Sequence, residues 1–175
     1  MNKVIEFLNA NPVQYLATVG RDGKAKCRPF MFAGELDGRL WFCTNNQKDV
    51  YKDMQENPEI EISVSSPEYA WIRLHGKAVF ENNMAAKEMC IQNPIVKGQY
   101  GEASNPILEV FYLEDAHGAI SDFFRQPSLC VLKSCISTVE IHFSTKSALY
   151  RQSKSDKIMT EQIPERHILR GRRRQ

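Results

Sequence analysis

The chain has 175 residues, 42% of them hydrophobic, and a net charge of +2, which fits one domain with a sizeable core plus an extra segment. Its N-terminus, MNKVIEFLNANPVQYL, lacks an apolar run of signal-peptide length and nowhere do eighteen apolar residues follow one another, so the expectation is a soluble, cytoplasmic protein with no membrane association. Cys27, Cys43, Cys90, Cys130 and Cys135 are odd in number and form no C-x-x-C pair, which points away from a disulfide framework or zinc ribbon and towards reduced thiols.

In chain order, Val4, Phe7 and Leu8 make one face of a short leading helix, with Asn2 as its cap and Asn11-Pro12 as its end. A three-strand meander follows: Gln14 to Val19, the strand carrying Arg28, and the strand carrying Trp41, separated by turns at Gly20 to Gly23 and Asp37-Gly38. Residues 47 to 56 read as a helix on the spacing of Val50, Tyr51 and Met54. Glu59 to Val64 and Trp71 to Phe80 alternate as strands, with Gly76 marking a bulge or a close approach. Asn83 to Ile91 reads as a helix, NPIVKGQYGEASNP as an irregular loop, and Leu108 to Leu113 with Ala119 to Phe123 as a closing pair of strands. The fold class is mainly β (α+β), a six- to seven-stranded antiparallel barrel with short peripheral helices.

Charge is unevenly spread. Residues 151 to 175 carry eight Lys or Arg against three Asp or Glu, and they end in RHILRGRRRQ. Such a tail is either a solvated, disordered terminus or a contact for nucleic acid or an acidic membrane surface, and the first reading is preferred. The organisation expected is therefore a barrel over residues 1 to 125 and a partly disordered, basic extension over 126 to 175.

The segment RPFMFAGELDGRLWFCTNNQK, Arg28 to Lys48, carries the chemistry. A helix starts after Thr44, Asn45 and Asn46, and its first-turn N–H groups with the positive end of its dipole suit an anion. Lys48 adds a full charge, Arg28 a planar fork of donors, and the Thr44 hydroxyl and the two amides neutral bonds. The same cluster also reads as an ordinary helix cap with solvated charges beside it. The backbone of Arg28, Pro29 and Phe30, with Trp71 packed nearby, would supply the wall that a flat ring system needs, although Trp71 also reads as plain core. Neither a G-x-G-x-x-G nor a G-x-x-x-x-G-K-S/T motif occurs, so a Rossmann or P-loop enzyme is a poor reading. No metal site is expected, since His117 and His142 lack ligand spacing, and His75 reads as a structural strand histidine rather than a proton donor. Cys43 reads either as a redox-sensitive thiol or as an ordinary buried one.

The stretches NPVQYLATVGRDGKAKCRPF, LWFCTNNQKDVYKDMQENPEIEI, WIRLHGKAVF and EVFYLEDAHGAISDF together resemble the pyridoxamine 5'-phosphate oxidase-like family of FMN-binding split barrels, over residues 4 to about 124. The resemblance implies that Arg28, Thr44 and Lys48 hold the FMN phosphate. It also implies a homodimer with FMN at the subunit interface. Ala33 stands where the oxidases place a Lys and Trp71 where they place a Gln, departures that look more like the small flavin reductase-like and nitroimidazole-resistance branch. The expectation is an FMN-dependent oxidoreductase passing electrons from a reduced nicotinamide donor, NAD(P)H, to a small-molecule substrate, with no catalytic side chain assigned. The alternative is a flavin- or haem-binding protein without turnover.

Overall fold

A computed structural model describes residues 3–122, together with the backbone of residues 128–131 and 141–142. Helix α1 (Lys3–Ala10) precedes β1 (Gln14–Val19), β2 (Ala25–Phe30), β3 (Phe32–Leu36) and β4 (Arg39–Asn45). Helix α2 (Asp49–Glu56) leads to β5 (Glu59–Ser65) and β6 (Ala70–Phe80), and helices α3 (Met84–Ile91) and α4 (Pro94–Tyr100) precede β7 (Leu108–Asp122). Every pairing is antiparallel, and the strands follow the order β2-β1-β5-β6-β7-β4-β3. A short strand β8 (Ser128–Val131) pairs with β7, and β9 (Ile141–His142) pairs with β8. The fold is a seven-stranded antiparallel split barrel with short helices around it. The basic tail lies outside the described residues, as do the Asn2 cap, Cys130 and Cys135 as side chains, and the 126–175 extension apart from the backbone of β8 and β9.

Three readings change. The Arg28 strand is two strands: Met31 separates β2, which pairs with β1, from β3, which pairs with β4, so the chain passes directly from one end of the strand path to the other. The loop after Ile91 contains a helix, α4, started by the Asn93 side chain accepting from Ile95 N at 2.9 Å and by Pro94 at its first turn. The expected closing pair is one fifteen-residue strand, β7. Its pairing with β6 shifts register between His75 and Lys77, and Asp115 adopts φ 51° there. Gly76 is the close approach the sequence anticipates: a Cβ there would lie 2.8 Å from the Glu114 carbonyl oxygen.

The barrel interior is filled by Leu16, Phe42, Ile62, Ile72, Leu74 and Phe111, all at 0% exposure. Phe42 stacks on Phe111 with ring centroids 5.5 Å apart. Helix α2 closes one end: Val50 and Met54 enter this core, and Tyr51 meets Phe80 edge-on at 4.7 Å. A second cluster, around Trp41, Val110 and Tyr112, lies on the other face of the β4-β7 pair beneath α3 and α4. Helix α3 is capped by Asn83, whose side chain accepts from Ala86 N at 3.1 Å. Asn83→Ala is expected to lower stability by about 1 kcal/mol, read as a shift of the urea midpoint with an unchanged slope. No helix among the described residues is long and apolar enough to cross a membrane.

Candidate anion site at the α2 end of the barrel

Alternation along β4 sends Leu40, Phe42 and Thr44 into the barrel and turns Trp41, Cys43 and Asn45 towards α3 and α4. On β2, Arg28 is the register partner of Leu16 and Phe30 that of Gln14, so both face inward, whereas Pro29 opposes Tyr15 on the exposed face. The Phe30 ring lies 6.4 Å from Phe42 and 5.9 Å from Phe111. Strand β4 runs opposite to β2. Arg28, two residues before Phe30, and Thr44, two residues after Phe42, therefore lie on the same side of that aromatic layer, the side where α2 docks.

Thr44 is 2% exposed, and its hydroxyl has no hydrogen-bond partner among the described residues. A buried unpaired hydroxyl is costly, about 1–3 kcal/mol. It sits where β4 gives way to α2. There Lys48 is the N-cap with extended backbone (φ −77°, ψ 147°), and its side chain bonds to no first-turn N–H. The N–H groups of Asp49 and Val50 consequently have neither an intrahelical nor a cap acceptor. The Lys48 ammonium is exposed and has no ion pair among the described residues. Arg28 is anchored through Nη1, which donates to Thr18 Oγ1 at 2.7 Å and to Leu16 O at 3.3 Å. Burial pulls its pKa down from the ordinary arginine value, and the charge of Asp53 opposes that.

The two asparagines serve the protein. Asn45 Oδ1 accepts from Gln47 N at 2.7 Å. Asn46 Nδ2, expected to face the anion, instead donates to Pro106 O at 2.9 Å and to Glu109 Oε1 at 3.1 Å, fixing the β4–α2 loop against β7. Trp71 opens β6 on its outer face, nine residues before the Phe80 that touches Tyr51, roughly 30 Å along the strand. A single chain thus brings Arg28, Phe30, Thr44 and Lys48 to one end, and Trp71 to another.

Asp53, which sequence reasoning missed, positions this end. Its carboxylate is completely buried and accepts from Arg21 N at 3.1 Å, Arg21 Nε at 3.2 Å and Lys26 Nζ at 3.1 Å. The Arg21 N–H and the two cations hold its pKa down to about 2 against the effect of burial. The signal was present: Val50, Asp53 and Met54 share the buried face of α2, and an acid in that apolar stripe demands partners. Among the described residues no three His, Cys, Asp or Glu side chains could hold a metal ion.

An unpaired buried hydroxyl, two open first-turn N–H groups and two cations on one side of an aromatic layer fit a phosphate group. The sequence pattern of the family described as Pyridoxamine 5'-phosphate oxidase matches residues 2–114. Among solved structures, the chain is similar to a NimC/NimA family protein from Clostridium acetobutylicum: 29% identity, 73% of this chain and 88% of that one covered, TM-score 0.67. It shares its fold with General Stress Protein 26 from Bacillus anthracis (20% identity, 67% and 91% covered, TM-score 0.58). A heme binding protein from Mycobacterium smegmatis also shares it (16% identity, 75% and 58% covered, TM-score 0.60). Among proteins of curated function, none matches the chain in sequence. With the family pattern spanning well over half of its residues and the strand order of a split barrel, the chain belongs to the pyridoxamine 5'-phosphate oxidase-like family.

Proposed function

We propose that this chain binds FMN at the α2 end of the barrel and serves as a cytoplasmic oxidoreductase, taking electrons from NAD(P)H and delivering them to a small acceptor. The observation that carries the reading is the buried Thr44 hydroxyl without a partner, beside a helix start that lacks a side-chain cap. In this reading Thr44 donates to a phosphate oxygen, Asp49 N and Val50 N donate to others, and Lys48 and Arg28 neutralise the charge. In this reading Nε and Nη2 of Arg28 serve the ligand, because among the described residues Nη1 alone makes its protein bonds. Strand β2 ends the strand path, so one edge of its backbone around Arg28, Pro29 and Phe30 faces away from β1 and is open to the polar rim of a ring. When bound, FMN supplies the hydride and electron transfer. The protein supplies the binding, the apolar wall and the exclusion of water. Trp71 reaches such a ring only from a second copy of the chain, which agrees with the homodimer that the family resemblance implies.

The test is the visible absorption spectrum of the purified protein, before and after loading with FMN and desalting. Retained bands near about 370 and 450 nm, followed by FMN-dependent oxidation of NADH or NADPH, are the expected result. A Soret band would instead favour the reading as a haem-binding protein, the ligand named for the M. smegmatis neighbour. A colourless protein after loading would overturn the flavin assignment.

A further inference from the structure

Directly behind Thr44, on the face of β4 turned towards α3, lies a second group of reactive side chains. Cys43 is half-buried, Cys90 of α3 is 1% exposed, and both are free thiols. They pack in one cluster with Trp41, Ala86, Val96 and Tyr100. Ala86, one turn before Cys90 on the same face of α3, is wholly buried in the same cluster. Within that cluster the two thiols titrate as neighbours: Cys90 and the Lys48 charge make the Cys43 thiol more acidic than usual against the effect of burial, and Cys43 and burial push the Cys90 thiol up. One sulfur is thus the reachable nucleophile and the other its protonated, sheltered neighbour.

We infer that Cys43 and Cys90 form a peroxide-reactive dithiol pair, with Cys43 as the attacking sulfur and Cys90 as the resolving one, whose disulfide fastens α3 to β4. The Cys43 thiolate attacks one oxygen of hydrogen peroxide. The O–O bond breaks, and the departing hydroxide takes up a proton to leave as water, so Cys43 becomes a sulfenic acid. The Cys90 sulfur then attacks the Cys43 sulfur, the S–S bond forms, and the second hydroxide leaves with the Cys90 proton as water. Two thiols lose two electrons and one peroxide is reduced to two waters. A disulfide requires its sulfurs at about 2.05 Å, and the two thiols sit in one packed cluster between α3 and β4. The inference is independent of the flavin reading, because peroxide is supplied from solution.

The experiment treats the reduced full-length protein with one equivalent of hydrogen peroxide, alkylates the remaining thiols and maps the peptides by mass. The expected product is a Cys43–Cys90 crosslinked peptide, formed about tenfold faster than any oxidation of the exposed Cys27. In Cys90→Ser the reaction should stop at a Cys43 sulfenic acid captured by dimedone, and in Cys43→Ser residue 90 should remain a thiol. If Cys27 is oxidised while Cys43 and Cys90 of the parent protein are both still alkylated, the pair is packing only and the inference is overturned. The parent map decides even where a variant fails to fold.

Discussion

Thr44→Val should leave the ligand-free protein at least as stable as the parent, and up to about 1 kcal/mol more stable, while weakening FMN about tenfold. The two effects have one cause. The hydroxyl is buried without a partner among the described residues, so an isosteric methyl group removes an unmet hydrogen-bonding need in the free chain and a donor in the complex. Lys48→Ala should weaken FMN by about 1.5–3 kcal/mol, the range for a charge-assisted bond. It should leave stability within about 0.5 kcal/mol, because that ammonium has no ion pair among the described residues. Arg28→Ala separates less cleanly, since it also strips Thr18 of its donor. Flavin fluorescence titration, read beside urea unfolding of the ligand-free proteins, gives both quantities. Unchanged FMN affinity in both Thr44→Val and Lys48→Ala would place the phosphate elsewhere.

Asp53→Asn is expected to lower the thermal midpoint by about 10 °C at neutral pH. The buried carboxylate accepts three bonds from Arg21 and Lys26, and an amide offers one acceptor oxygen and turns an N–H group towards a cation. The pH dependence follows from the depressed pKa. Unfolded, the carboxyl titrates near its ordinary value of 3.8; folded, it does so at about 2. The native state therefore binds fewer protons between those values. Its advantage is complete above about pH 4 and disappears as the pH falls towards 2. Midpoints measured by circular dichroism at pH 7, 4, 3 and 2 should show the gap between parent and variant narrowing over the last three. A constant gap would mean that this carboxylate is not the titrating group.

Much of the barrel could be read from alternation, because each inward position of β1, β5 and β6 is separated from the next by one outward residue. The bend at Met31 could not. KCRPFMF becomes continuously apolar from Pro29, so the pattern loses the period that would mark a change of partner. Helix α4 was masked by the Asn-Pro and Gly residues around it, which serve as its cap and its exit. Glu114, Asp115 and Gly118 interrupt the apolar run of β7, yet the strand continues. Gly118 is the glycine that lets the Arg73 carbonyl of β6 pass close by, a contact set by a residue forty-five positions away. At the candidate site, the Thr44 to Lys48 segment was legible because strand end, cap and cation are neighbours in sequence. Asp53 with Arg21 and Lys26, and Cys43 with Cys90, depend on distant segments meeting, and no local spacing encodes them.

The position of β7 also governs how a growing chain must behave during synthesis. This strand lies between β6 and β4, although six strands precede it in the sequence. Until about residue 122 has left the ribosome, β4 and β6 each present an open backbone edge beside an incomplete apolar interior, the combination that recruits other chains. Joining β4 to β7 closes a loop over residues 46–107, whereas the β1–β2 turn closes over residues 20–24. The difference in closure entropy is about 2 kcal/mol. The local hairpins can therefore form early, but the barrel waits for its seventh strand. A message cut short within β7 would yield a sticky intermediate rather than a smaller working protein.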